Sequence, residues 1–234
     1  VLQDLIPEEL KQNPIREDIL ELVRKIEIQQ SFLDEILSNF QNSSDKFYAV
    51  RSSAIDEDSA EFSFAGQFET YLYVNSNDLA ESIRKIWLSA FSERVMTYRD
   101  KNGLKQQFGI AVIVQEMINA EVAGVGFGIN PTSGDRETKV ISSVYGLGEG
   151  LVSGELNADT YILKDGKIDS QLTDKSHAFV QSEGGGIEKI EIEDSKRKES
   201  SLSNEQLQKL AGILDELLEA TGKPQDIEFA VAKD

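Results

Sequence analysis

Five short segments of this chain carry residue types suited to chemistry. In Val50-Arg51-Ser52-Ser53-Ala54, Arg51 ends an apolar run, where a guanidinium fork can take phosphate oxygens or form an ordinary surface ion pair. In Ser63-Phe64-Ala65-Gly66-Gln67-Phe68-Glu69-Thr70, Gly66 lets backbone N–H groups approach an anion and Thr70 adds a hydroxyl; a plain turn is the alternative. Val112-Ile113-Val114-Gln115-Glu116-Met117-Ile118 turns polar at its end. Backbone groups there can read a base edge while Met117 and Ile118 pack on its face, unless this is a core strand that merely reaches the surface. The glycines of Gly146–Gly154 follow a strand and ask for close approach by a ligand or a neighbouring segment. They match neither the dinucleotide fingerprint nor a P-loop. In Pro224-Gln225-Asp226-Ile227-Glu228-Phe229-Ala230 a strand puts Asp226 and Glu228 on one face and Ile227 and Phe229 on the other. Two such carboxylates can hold a hard divalent cation that also bridges phosphates, or they can simply face solvent.

The elements that must position these residues follow from periodicity. Apolar spacings of three and four predict a helix over 16–40, closed by Asn42-Ser43-Ser44-Asp45. A second is predicted over 78–102, capped by Asp78 with Glu81, its stripe being Leu79, Ile83, Ile86, Trp87, Ala90, Phe91 and Val95. A third spans 203–221, with a Ser203/Gln206 capping box, a Leu202/Leu207 staple and a stop at Gly222 and Pro224. Strands are predicted at 47–53, 71–74, 138–145 and 226–231, with 110–117 and 122–129 as a hairpin and short strands around Tyr161 and Ile190 flanking a polar stretch 165–186. The mixture lacks regular alternation, so the fold class is α+β.

Composition narrows the chemistry. With 24 Lys+Arg against 42 Asp+Glu the formal net charge is −18, which disfavours duplex nucleic acid and anionic membranes as partners. Cys is absent, which excludes disulfides, thiolate catalysis and cysteine-ligated zinc. A single His excludes a multi-histidine metal site. No apolar run approaches a membrane span of about 20 residues, and the expectation is a soluble cytoplasmic protein.

In order and spacing, V-R-S-S-A, F-A-G-Q-x-x-T, V-x-V-Q-x-M, G-L-G-E-x-x-V-x-G and G-K-P-Q-D-I-E-F resemble the N-terminal ATP-binding domain shared by phosphoenolpyruvate synthase, pyruvate phosphate dikinase and rifampicin phosphotransferase. The resemblance covers about Tyr48 to Val231. It implies an ATP-grasp fold with a nucleotide cleft between two lobes, approximately 1–109 and 110–234. It implies that Arg51 binds phosphate as the catalytic cation, that Gly66 and Thr70 form the small phosphate loop, and that Gln115, Glu116, Met117 and Ile118 line the adenine. Glu228 becomes a Mg2+ ligand, and the Gly146–Gly154 segment lies at the cleft. The implied reaction passes a phosphoryl group from ATP to a histidine on a separate swivelling domain, giving AMP, and then to pyruvate on a pyruvate-binding domain of the parent polypeptide.

Two family segments, a Gly/Lys-containing one that precedes and an L-Q-x-R strand that follows, have no counterpart between Val1 and Asp234. The chain therefore reads as an ATP-grasp domain truncated at both ends, and complete turnover by it alone is not expected. The alternatives are the ATP domain of an antibiotic (rifampicin) phosphotransferase, a non-catalytic nucleotide-binding module, and a carboxylate–amine ATP-grasp ligase. Lys175-Ser176-His177-Ala178 echoes the family's phosphohistidine motif, but its setting reads as loop or strand and an exposed structural histidine is expected.

Overall fold

A computed structural model describes residues 6–8, 11, 16–41, 46–54, 68–103 and 110–232. The chain divides into two compact units, Val1–Met117 with Glu183–Gly186, and Ile118–Ser182 with Ile187–Asp234. Every pair among the named strands is antiparallel, which fits the α+β class.

The first unit sets helices against one face of a three-stranded sheet. Helix α1 (Arg16–Lys25) buries Ile19, Leu20 and Val23, and α2 (Gln30–Leu37) buries Leu33. The single helix predicted over 16–40 is therefore two, because the chain leaves helical geometry at Ile26–Gln29. The freed Ile26 carbonyl accepts from Arg84 Nε at 3.3 Å and Nη2 at 3.2 Å, so the break carries no unpaired acceptor. Strands β1 (Tyr48–Ala54), β2 (Thr70–Val74) and β3 (Ile110–Glu116) order as β2-β1-β3.

The helix predicted over 78–102 is also two, α3 (Leu79–Ser89) and α4 (Glu93–Lys101). Ser92 opens the second by accepting the Val95 N–H at 3.3 Å. Asp78 does not cap with its side chain. Asn75 does, accepting from Asn77 and Asp78 N–H at 2.9 and 3.0 Å at the start of a 3-10 turn, Ser76–Asp78. The predicted stripe from Leu79 to Val95 is buried throughout and joins Ile19, Val23, Val50 and Ile110 in the core, apart from Val95, which is buried but lies outside that cluster.

The second unit is built on a five-stranded sheet, β10-β4-β5-β6-β7. Its strands are β4 (Ala120–Phe127), β5 (Lys139–Tyr145), β6 (Asp159–Lys164), β7 (Lys167–Gln171) and β10 (Asp226–Ala232). The predicted 110–129 hairpin does not form. β3 pairs with β1 in the first unit, whereas β4 lies between β10 and β5 in the second. The polar stretch 165–186 contains an unforeseen strand, β7, and a second, β8 (His177–Gln181), where the setting of His177 read as loop or strand; β8 pairs with β9 (Ile187–Glu191). Helix α6 (Asn204–Thr221) packs Leu207 and Leu210 on Val122, Ile141, Tyr161 and Leu163. Its start is as predicted: Ser203 and Gln206 exchange hydrogen bonds at 3.2 and 2.8 Å, and Gly222 takes the left-handed conformation at its end. No helix among the described residues is long and apolar enough to cross a membrane.

Candidate functional site

In the first unit Arg51 lies on the exposed face of β1, with Thr70 of β2 directly opposite on one side and Ile113 of β3 on the other. Arg51 is the first exposed residue of β1, after buried Tyr48, Ala49 and Val50. Among the described residues no carboxylate pairs with its guanidinium, so the surface ion pair that competed with the phosphate reading is not formed there. Ile113, 47% exposed on the same row, is an apolar surface that sequence reasoning passed over as ordinary strand. Its exposure follows from β3 having only one face on the core. Gly66 and the rest of the small loop before Phe68 lie outside the described residues.

The predicted base-reading segment ends β3. Gln115 is exposed opposite Ala49. Glu116 is opposite Tyr48 and holds Lys46 at 2.6 Å. The Met117 N–H donates to the Phe47 carbonyl at 2.9 Å and is thereby used within the unit; the Ile118 side chain is 54% exposed.

In the second unit β10 alternates as predicted. Asp226, Glu228 and Ala230 are exposed, while Ile227 and Phe229 pack towards the α6 core. Glu228 opposes Val125, which opposes Ser142, which opposes Thr160, so these four share one row of the face away from α6. The Ser142 and Thr160 hydroxyl oxygens are 3.5 Å apart. No group of three or more Asp, Glu, His or Cys among the described residues can enclose a metal. A single exposed carboxylate fits magnesium nonetheless, since that ion keeps water and substrate phosphate oxygens as most of its ligands.

The glycine-rich segment runs from β5 into a short helix, α5 (Glu149–Val152). Gly146 has φ +73°, and a Cβ there would lie 2.2 Å from the Phe179 carbonyl oxygen. A Cβ on Gly150 would lie 2.4 Å from Leu156 and 2.8 Å from the Phe179 ring. Close approach by a neighbouring segment thus accounts for both. It does not account for Gly148, where a Cβ would make an ordinary 3.6 Å contact. His177 begins β8 opposite Glu191, half-buried, with Nδ1 2.9 Å from the Ser176 hydroxyl.

Sequence comparison covers nearly the whole chain. The profile of the pyruvate phosphate dikinase AMP/ATP-binding domain matches residues 3–234. Rifampicin phosphotransferase of Bacillus subtilis is 39% identical over 190 residues, 80% of this chain and 22% of that protein. A probable phosphoenolpyruvate synthase of Methanocaldococcus jannaschii is 37% identical over 190 residues, 79% of this chain and 16% of that protein. The prodigiosin synthesizing transferase of Serratia marcescens is 40% identical over 192 residues, 80% of this chain and 21% of that protein. The chain thus spans about a fifth of the length of these relatives. With the match running from residue 3 to residue 234, this chain belongs to the pyruvate phosphate dikinase AMP/ATP-binding domain family.

Proposed function

We propose that this chain is the ATP-binding part of a phosphoenolpyruvate synthase-like dikinase, an ATP-grasp domain of two lobes. The observation that carries the proposal is the uncommitted Arg51 guanidinium beside Thr70 on an open sheet face, in a chain of an AMP/ATP-binding family. Arg51 neutralises phosphate charge as it redistributes during transfer, and Thr70 with Gly66 orients the phosphates by hydrogen bonding. Gln115, Glu116, Met117 and Ile118 hold the adenine, with Ile113 offering further apolar surface. In the second unit Glu228 is the protein ligand for magnesium. Bound magnesium supplies positive charge that neutralises and orients the phosphates.

The chain's own residues bind and orient; no covalent step falls to them. The phosphoryl group of ATP passes to a histidine on another domain of the parent polypeptide and from there to pyruvate, in the cytoplasm. The rifampicin phosphotransferase reading uses the same residues in the same roles. The identities of 39% and 37% do not separate the two, because the acceptor is chosen outside the matched region.

The test is calorimetric titration with ATP, with and without magnesium, of this chain and of Glu228→Ala. Tighter binding with magnesium in the unmodified chain, and loss of that increment in the variant, is the expected result. An equal magnesium increment in both would remove Glu228 from the metal site.

A further inference from the structure

The most deeply buried charges in the second unit lie outside the residues assigned above. Asp159, first residue of β6, and Lys175 are 0% and 1% exposed and pair at 2.7 Å. The carboxylate is saturated with donors. Oδ1 also accepts the Thr173 N–H at 3.0 Å, and Oδ2 accepts the Ser201 N–H at 3.0 Å, the Ser201 hydroxyl at 2.8 Å and the Tyr161 hydroxyl at 3.2 Å. With its one proton committed to Asp159, the Ser201 hydroxyl accepts from Ser143 at 2.7 Å. Lys175 makes a second bond to the Thr173 carbonyl at 3.2 Å.

Both ends of the glycine-rich turn hang on this pair. Lys175 Nζ stands 5.4 Å from the centroid of the Tyr145 ring, and Tyr145 immediately precedes Gly146. The Tyr145 hydroxyl donates to the Lys196 and Glu199 carbonyls at 3.3 and 3.5 Å, in the loop that also brings Ser201 to Asp159. On the other side β8 starts two residues after Lys175 and carries Phe179. The Phe179 carbonyl accepts the Leu147 N–H at 2.8 Å, and its ring and backbone fill the space that side chains at Gly150 and Gly146 would need. A shift of Lys175 therefore moves both the ring before the turn and the strand on which the turn is seated.

We infer that Asp159 and Lys175 are positioning residues for the turn Gly146–Gly150, and through that turn for ATP binding. The part concerning nucleotide rests on the proposed function. Neither group touches the substrate in this account; each acts through Tyr145 and Phe179.

The test uses the double variant Asp159→Asn/Lys175→Met, which removes both charges at similar side-chain length and leaves no lone buried ion. Tyr145→Leu serves as a second variant that leaves the pair intact and removes the ring beneath Lys175. Amide hydrogen exchange is read at Leu147 and, as a reference within the same unit, at Leu210 and Leu214 of α6, alongside ATP affinity. The expected result is about tenfold faster exchange at Leu147 relative to α6, and about tenfold weaker ATP binding at pH 7 in a variant that still unfolds cooperatively. Unchanged Leu147 exchange in a folded double variant overturns the inference. Should the double variant not fold, unchanged exchange in Tyr145→Leu overturns it instead. If the unmodified chain binds no ATP while Leu147 still responds, the proposed function fails and the local positioning stands. If the unmodified chain binds ATP and both variants bind it equally well, the link to nucleotide is wrong.

Discussion

At Asp159 two opposing effects act on one carboxyl group. Burial alone pushes it up, while the Lys175 ammonium and the Thr173 and Ser201 donors outweigh burial and hold it below its usual value. A carboxyl depressed in the folded state contributes stability that is present above its unfolded value, about 4, and is lost as pH falls from there towards the folded value. Urea unfolding of the unmodified chain between pH 7 and pH 3 is therefore expected to lose stability more steeply below about pH 4 than unfolding of Asp159→Asn/Lys175→Met. Parallel profiles would show that the network does not set the acid limit of this unit. Glu228 was legible from sequence because strand alternation exposes it between half-buried Ile227 and Phe229, and Arg51 because it ends the buried apolar run 48–50. Asp159 and Lys175 were not. They are sixteen residues apart, and the intervening β7, which returns the chain to β6, was itself unforeseen.

Among the described turns, the one after β5 is sterically tight. Gly146→Ala forces a left-handed residue to carry a Cβ 2.2 Å from a backbone oxygen, a contact no side-chain rotation relieves. A loss of about 2–3 kcal/mol is expected from strain and displacement of β8, measured by urea unfolding. Gly154→Ala, also left-handed but with nothing within 4 Å, is expected to cost less, about 1 kcal/mol. Equal losses would remove the Phe179 contact as the cause. The long amphipathic stripes were legible because both helical stretches bury one continuous side, and periodicity cannot register a turn of broken geometry that keeps the same side buried. The break at Ile26–Gln29 is satisfied by Arg84, 58 residues along the chain, and the one at Ala90–Ser92 leads into the Ser92 cap; neither partner carries a periodic signal. The β6–β7 hairpin did carry one. Asp165-Gly166, both at positive φ, form the two-residue loop between paired Lys164 and Lys167, a turn that Asp-Gly favours. The polar composition of Lys167–Gln171, exposed almost throughout, hid the strand that follows.

For the whole molecule, a net charge of −18 opposes an anionic ligand at long range. Membership of an AMP/ATP-binding family therefore requires local cations and donors, and Arg51 is the uncommitted guanidinium that the described first-unit sheet offers. The family was legible because five short segments kept their order along the chain, and the α+β class because strands and helices mix without regular alternation. The pairing of β3 with β1 and not with β4 was not, since adjacent strands with a short connection fit a hairpin equally well until the partners of both are known. The most direct test is titration of ATP-magnesium into the unmodified chain and into Arg51→Ala, with thermal unfolding of both. The expected result is weakening by about 2 kcal/mol, roughly thirtyfold in Kd, with an unchanged melting temperature, because the Arg51 side chain is exposed and makes no ion pair among the described residues. Equal affinity in the two proteins would contradict it and take the phosphate site away from β1.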